Sequence, residues 1–219
     1  VDDVLYMLVR NADNSTLAWS DDHGQTWEWA DWRFEHSFGY PTFLNFGRND
    51  QHARDDYVYI YSNDDDSAYQ PADQMVLARV RTDDIRDWQR YQFFAGIDER
   101  GTPDWSEDIR KRQPVFTNPG QCYRSGITYN PGLDRYLWCQ IIPGEDTRFS
   151  GGFGIYESQN PWGPWRTVFY TREWDTGPGE TMSIPAKWMS ENGRTCWLVF
   201  SGRDSFSVRQ MNFTLSGDE

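Results

Sequence analysis

The feature that most constrains this chain is a strand rhythm that returns four times. Residues 4–10, 57–62, 135–142 and 195–201 are runs of β-branched and aromatic residues, alternating or nearly continuous. Each is followed, after a polar loop, by a second such run at 16–20, 75–81, 152–158 and 206–213. Three repeats add an outer run, at 26–32, 91–95 and 165–170. Three carry an inner run, at 40–46, 126–129 and 183–189, with Pro41, Gly126 and Pro185 where crowding near an axis favours small or kinked residues. Asn130-Pro131-Gly132 and Glu191-Asn192-Gly193 supply turns between inner and second strands. The spacing, about 50–80 residues, is that of propeller blades, and a small sheet that cannot bury its own faces must stack on its copies. The prediction is an all-β chain, a β-propeller of four-stranded antiparallel blades with about four in view. The first repeat begins at its second strand. Residues 1–219 are therefore expected to be one propeller domain, N-terminally incomplete and part of a five-bladed parent. The polar stretch 98–118 reads as a long loop over one face.

The first repeat contains the turn Ser20-Asp21-Asp22-His23-Gly24-Gln25-Thr26-Trp27. Asp22 can accept hydrogen bonds from its own turn, Gly24 can supply a positive φ, and Trp27 can pack into the next blade. The Ser20-x-Asp22-x-Gly24-x-Thr26-Trp27 pattern resembles the Asp-box of sialidases and other propeller proteins. That resemblance implies a structural role away from the catalytic face. The whole chain resembles bacterial domains grouped with five-bladed glycosidase-like propellers. The segments that carry the likeness are Ala53-Arg54-Asp55-Asp56-Tyr57-Val58-Tyr59, Cys122-Tyr123-Arg124-Ser125-Gly126, Asn160-Pro161-Trp162-Gly163-Pro164-Trp165 and Gly177-Pro178-Gly179-Glu180. It implies a fold more than a chemistry, since one fold hosts many functions.

Composition narrows the partners. A formal charge of -13 repels nucleic acid and anionic membranes, and neither is expected as a partner. No apolar run approaches the length of a membrane span, and no signal peptide is visible. The 12 Trp, 12 Tyr and 13 Phe suit pleated sheets and also the apolar faces of sugars, so composition does not separate the two uses. Cys122, Cys139 and Cys196 fit no metal spacing and read as buried thiols, with Cys122 more open because it sits beside Tyr123-Arg124. A secreted or periplasmic bacterial monomer acting on carbohydrate is expected.

Propeller geometry sorts the polar residues. Starts of inner strands and loops between second and third strands share the ligand face. This gathers His36, Tyr40, Tyr123, Arg124 and Glu180 with Asp64, Asp65, Asp66, Tyr69, Asp146, Arg148, Arg203 and Asp204. Asp55 and Asp56 fall at the opposite face, to cap or to pair with Arg54. Glycoside hydrolysis uses two carboxyl groups. Glu180, approached through Gly177-Pro178-Gly179, is the first candidate, with Asp66 or Asp204 as partner; a plain structural Glu ordering its loop is the alternative. His36, Tyr40, Tyr69, Tyr123, Arg124, Arg203 and Trp105 are candidate substrate-binding residues. Arg124 can grip a sugar carboxylate or sulfate, or simply tether Glu180 or a loop aspartate. No cofactor and no catalytic metal are expected. The run Asp64-Asp65-Asp66 lacks calcium-loop spacing and offers at most a structural calcium.

Three functions follow. The first is a glycoside hydrolase working through rim carboxylates. The second is a polysaccharide lyase with Tyr40, Tyr123 or His36 as base and Arg124 neutralising a uronate. The third is a carbohydrate-binding propeller without catalysis. Nucleotide, zinc-protease and α/β-hydrolase signatures are absent.

Overall fold

Both faces of the middle blades are buried, and that explains their nearly unbroken apolar runs. In a computed structural model describing residues 1–216, strand β5 (Tyr57–Asn63) sends Tyr57, Tyr59 and Tyr61 toward one neighbouring blade and Val58 and Ile60 toward the other. Strand β11 (Arg135–Pro143) does the same with Tyr136 and Trp138 against Leu137, Cys139 and Ile141. This period-2 division builds three apolar clusters, one between each pair of adjacent blades.

The described residues form four blades of a β-propeller. The first is β1 (Leu5–Arg10), β2 (Ser15–Ser20) and β3 (Glu28–Trp29). The second runs from inner strand β4 (Thr42–Asn45) through β5 and β6 (Ala72–Arg81) to β7 (Gln92–Ile97). The third is β10 (Ser125–Asn130), β11, β12 (Gly151–Ser158) and β13 (Arg166–Thr171). The fourth is β14 (Met182–Ser183), β15 (Thr195–Phe200) and β16 (Ser207–Asn212). Within blades the neighbours are antiparallel. Inner strands β4 and β10 instead lie parallel, with Ile127 opposite Leu44, and so join two blades at the axis. Gly126 lets β14 approach β10: a Cβ there would sit 2.6 Å from the Met182 carbonyl oxygen. Thr128 adds a hydrogen bond of 2.7 Å to the Ile184 carbonyl.

Three expectations change. The stretch 98–118 is not a bare loop. It forms β8 (Pro103–Ser106), which extends the second blade beyond β7, and begins β9 (Phe116–Cys122), which pairs with β6. The fourth inner strand is only two residues long. Pro185 lacks an N–H for the ladder, and a 3-10 turn over Ala186–Trp188 follows it. Trp27 does not enter the next blade. It is partly exposed and donates to the Gly24 carbonyl of its own turn at 3.2 Å. In that turn Asp22 accepts from the Thr26 N–H at 2.9 Å, the Thr26 hydroxyl at 2.7 Å and the Ser20 hydroxyl at 2.7 Å, and Gly24 has φ 88°.

Among the described residues no helix is long and apolar enough to cross a membrane. All three cysteines are buried and free. Burial pushes the Cys122 and Cys139 thiols up to about 12 and that of Cys196 up to about 11, which leaves them protonated and unreactive at neutral pH.

Candidate functional site

Arg124 is where the four blades meet. It stands just before β10 and is fully buried. Its Nε donates to the Ala68 carbonyl in the β5–β6 loop at 2.9 Å. Its Nη1 donates to the Glu180 carbonyl at 3.2 Å and lies 3.1 Å from the Glu180 carboxylate. The guanidinium is wrapped by three rings, with Tyr69, Tyr123 and Tyr40 centroids at 5.0, 5.1 and 5.4 Å. Arg10, at the end of β1, stands over two of the same rings, 5.1 Å from Tyr40 and 5.5 Å from Tyr69. Asn11 donates to the Tyr69 hydroxyl at 3.0 Å. The first blade thus supplies Arg10 and Asn11, the second Tyr40 and Tyr69, the third Tyr123 and Arg124, the fourth Glu180.

Glu180 reaches this point through a backbone that only glycine permits. Gly179 has φ 77°, and a Cβ there would lie 2.2 Å from the Ser201 carbonyl oxygen. The Ser201 hydroxyl then accepts from the Glu180 N–H at 2.7 Å. Glu180 keeps a side chain 42% exposed, so its carboxylate is both gripped and reachable. Arg148, from the β11–β12 loop, forms the adjoining charged corner. It pairs with Asp146 through Nε at 3.0 Å and Nη2 at 2.8 Å, and its Nη1 stands 3.8 Å from Asp204. The hydrogen bond to Asp146 raises the Arg148 pKa, and the charges of Asp204 and Glu180 raise it further. Asp146 and Asp204 therefore share the Arg148 guanidinium, while Glu180 is paired with Arg124.

The other predicted residues divide. Asp66 is a latch: its carboxylate accepts from the Ser37 N–H, and Gly39 packs on its backbone. That spends Asp66 on ordering the approach to β4, while Asp65 caps Ser67 and Asp64 pairs with Arg112 at 2.7 Å. Among the described residues no three His, Cys, Asp or Glu side chains come together as a metal set. His36 is exposed. Arg203 is exposed with φ 52°, and its N–H donates to the Arg148 carbonyl at 3.0 Å. Trp105 belongs elsewhere. On the outer edge of the second blade it packs against Tyr59, Phe94 and Trp162, with the Arg79 guanidinium 3.9 Å from its ring centroid. At the opposite face, Arg54 pairs with Asp134 and Tyr129, not with its neighbours. Asp55 caps Tyr57, and Asp56 pairs with Arg81. A hollow of about 670 Å³ between β1 and β4 contains none of the site residues.

Tyr123 bears on the lyase alternative. Burial pushes its phenol above the ordinary value; Glu180 adds to that, while Arg124 and Arg10 oppose it. A phenol held in its protonated form donates hydrogen bonds and makes a poor base at neutral pH.

Comparison with known proteins agrees with this architecture. The family model described as "Domain of unknown function (DUF4185)" matches residues 8–212. An alpha-L-arabinofuranosidase from Podospora anserina, solved with cellotriose, is similar at 11% identity and TM-score 0.54; the likeness covers 95% of this chain and 68% of that one. A thermostable family-43 glycoside hydrolase is similar at 14% identity and TM-score 0.52, over 99% of this chain and 70% of the other. The Trypanosoma rangeli sialidase, solved with the inhibitor DANA, is similar at 14% identity and TM-score 0.51, over 96% of this chain. This chain spans only 30% of the sialidase. None of the curated proteins matches the chain in sequence. These are likenesses of fold.

Proposed function

We propose that this chain, which belongs to the DUF4185 family, is a glycoside hydrolase acting outside the cytoplasm on a poly- or oligosaccharide. The observation that carries the reading is a reachable Glu180 carboxylate fixed by a fully buried Arg124, which ties the second, third and fourth blades at one rim. Asp204, across Arg148, is the second carboxyl. Glu180, held at 3.1 Å by a buried guanidinium, is arranged to act as base or nucleophile, and Asp204, only loosely paired at 3.8 Å from Arg148, is the candidate to deliver the leaving-group proton. The glycoside hydrolases among the fold neighbours support the same class of substrate.

The test is Glu180→Gln, which keeps the shape and removes the charge. Hydrolysis of an oligosaccharide panel, followed by reducing-end release, is expected to fall by at least about 10³-fold with an unchanged circular dichroism spectrum. Wild-type turnover in that variant, on any saccharide the native protein cleaves, refutes the role of Glu180.

A further inference from the structure

The hydrolase reading gives Arg10 no work, yet Arg10 is a half-buried cation at this rim and has no counterion among the described residues, whereas Arg203, also without one, is exposed to water. Many arginines of this acidic chain hold carboxylates, Arg54, Arg86, Arg112, Arg135 and Arg209 within 3 Å, and the stacked Arg79 has the Gln92 side chain as acceptor at 2.9 Å. Arg10 is half-buried, and its Nη1 is sealed from solvent without a hydrogen-bond partner. Arg124, fully buried, likewise leaves its Nη2 without an acceptor. Stacking on Tyr40 and Tyr69 satisfies the flat faces of both guanidiniums. It does not satisfy their in-plane N–H groups, which seek oxygen acceptors. A cation withdrawn from water without a partner is costly, so its retention at a ligand rim calls for an anion that arrives with the ligand.

The neighbouring groups are donors too. The Tyr69 hydroxyl accepts from Asn11, so its own O–H remains to give, and Tyr69 is 52% exposed. Tyr123 closes the other side of Arg124 with its ring, whose centroid is 5.1 Å from the guanidinium. The rim is thus divided. Carboxylates of the third and fourth blades gather around Arg148, whereas the second blade's Asp64, Asp65 and Asp66 are already engaged by Arg112, Ser67 and Ser37 and none is paired with Arg10.

We infer that Arg10, with Tyr69 and Arg124 behind it, is an anion-recognising subsite, and that the saccharide this protein takes carries a carboxylate or sulfate on the sugar bound there. The inference rests on the rim being a saccharide site, and its test is separated from catalysis by measuring binding in the Glu180→Gln background. The probes are a galacturonate trimer against its methyl ester, and a sulfated galactotriose against the unsulfated form, titrated calorimetrically. At least one charged probe is expected to bind about tenfold or more tighter than its neutral counterpart, the two pairs deciding between carboxylate and sulfate. Arg10→Gln removes that difference, the charged probe losing affinity by at least that roughly tenfold margin beyond any loss of the neutral one. Arg10→Lys retains the charge without the fork and restores the difference only in part. Raising the salt concentration weakens the charged probe alone. Equal affinity for charged and neutral members of both pairs, or no binding by either charged probe, overturns the inference. So does an Arg10→Gln variant that melts earlier but keeps the charged preference, which makes Arg10 a stacking residue only. Loss of turnover in Glu180→Gln with the charged preference intact supports both assignments; retained turnover with the preference intact removes only the hydrolytic one.

Discussion

Gly126→Ala tests the approach of two blades and the placement of Glu180 together. A Cβ at Gly126 would stand 2.6 Å from the Met182 carbonyl oxygen, 3.2 Å from Ser183 Cα and 3.3 Å from Ser183 Cβ. Ordinary contact requires the fourth blade to retreat by roughly 0.8 Å. Two of the three obstructing atoms are backbone, so no rotamer change relieves them. Overpacking of this kind costs about 1–3 kcal/mol. Alanine returns about 0.4–1 kcal/mol by restricting the unfolded chain, because Gly126 does not have a positive φ. The net loss, between about 0 and 2.6 kcal/mol, lowers the melting temperature by up to about 10 °C for a chain of this size. Met182 follows Glu180 by two residues, so the same retreat draws Glu180 from Arg124, now 3.1 Å away. A misplacement approaching 1 Å costs on the order of 10²-fold in turnover. The assay is a thermal melt paired with saccharide cleavage at a temperature below both melts. A raised melting temperature, or an unchanged one with full turnover, refutes the reasoning, because it shows room between β10 and β14.

Two further predictions concern the frame. Hydrogen bonds from the Thr26 N–H, then the Thr26 hydroxyl, then the Ser20 hydroxyl lower the Asp22 pKa from 3.8 to about 2. A depressed folded pKa contributes stability above the unfolded value and loses it as pH falls, so Asp22→Asn should lower the melting temperature at pH 6. That deficit should shrink below pH 3.8 and close near pH 2; a deficit constant with pH contradicts the assignment. Trp138 is fully buried between Tyr61, Phe116 and Trp165, with centroids at 5.2, 5.4 and 4.9 Å. Trp138→Ala should cost about 3–5 kcal/mol in denaturant unfolding, and a loss under 1 kcal/mol would place that ring outside the core.

What could be read in the sequence followed from periodicity. The runs through Tyr57, Tyr59 and Tyr61 and through Leu137, Cys139 and Ile141 announced strands because each face meets a different blade. Strand β9 gave no such sign. Its residues include Asn118, Pro119 and Gly120, and it exists by pairing with the long β6 (Gln74 with Thr117, Met75 with Phe116), a tertiary effect. Trp105 looked like a sugar platform because nothing local revealed Tyr59 and Trp162 beside it. Arg10 was missed although the propeller rule reaches it: it ends a second strand at the same mouth as Asp64 and Asp146.

The rim chemistry has a cause that no single blade contains. Arg124 holds a carbonyl of the second blade and both a carbonyl and a carboxylate of the fourth, so the contact that fixes Glu180 also ties three blades together. Removing a fully buried guanidinium therefore strikes closure and chemistry at once, and activity loss in such a variant says little about mechanism. Glu180 and Arg10 are better probes. Glu180 is partly exposed, and Arg10 stacks on Tyr40 and Tyr69 with no ion pair among the described residues. Neither side chain belongs to the β4–β10 ladder or to the three inter-blade clusters, and a thermal melt run beside each assay separates a deficit at the ligand from one in the scaffold.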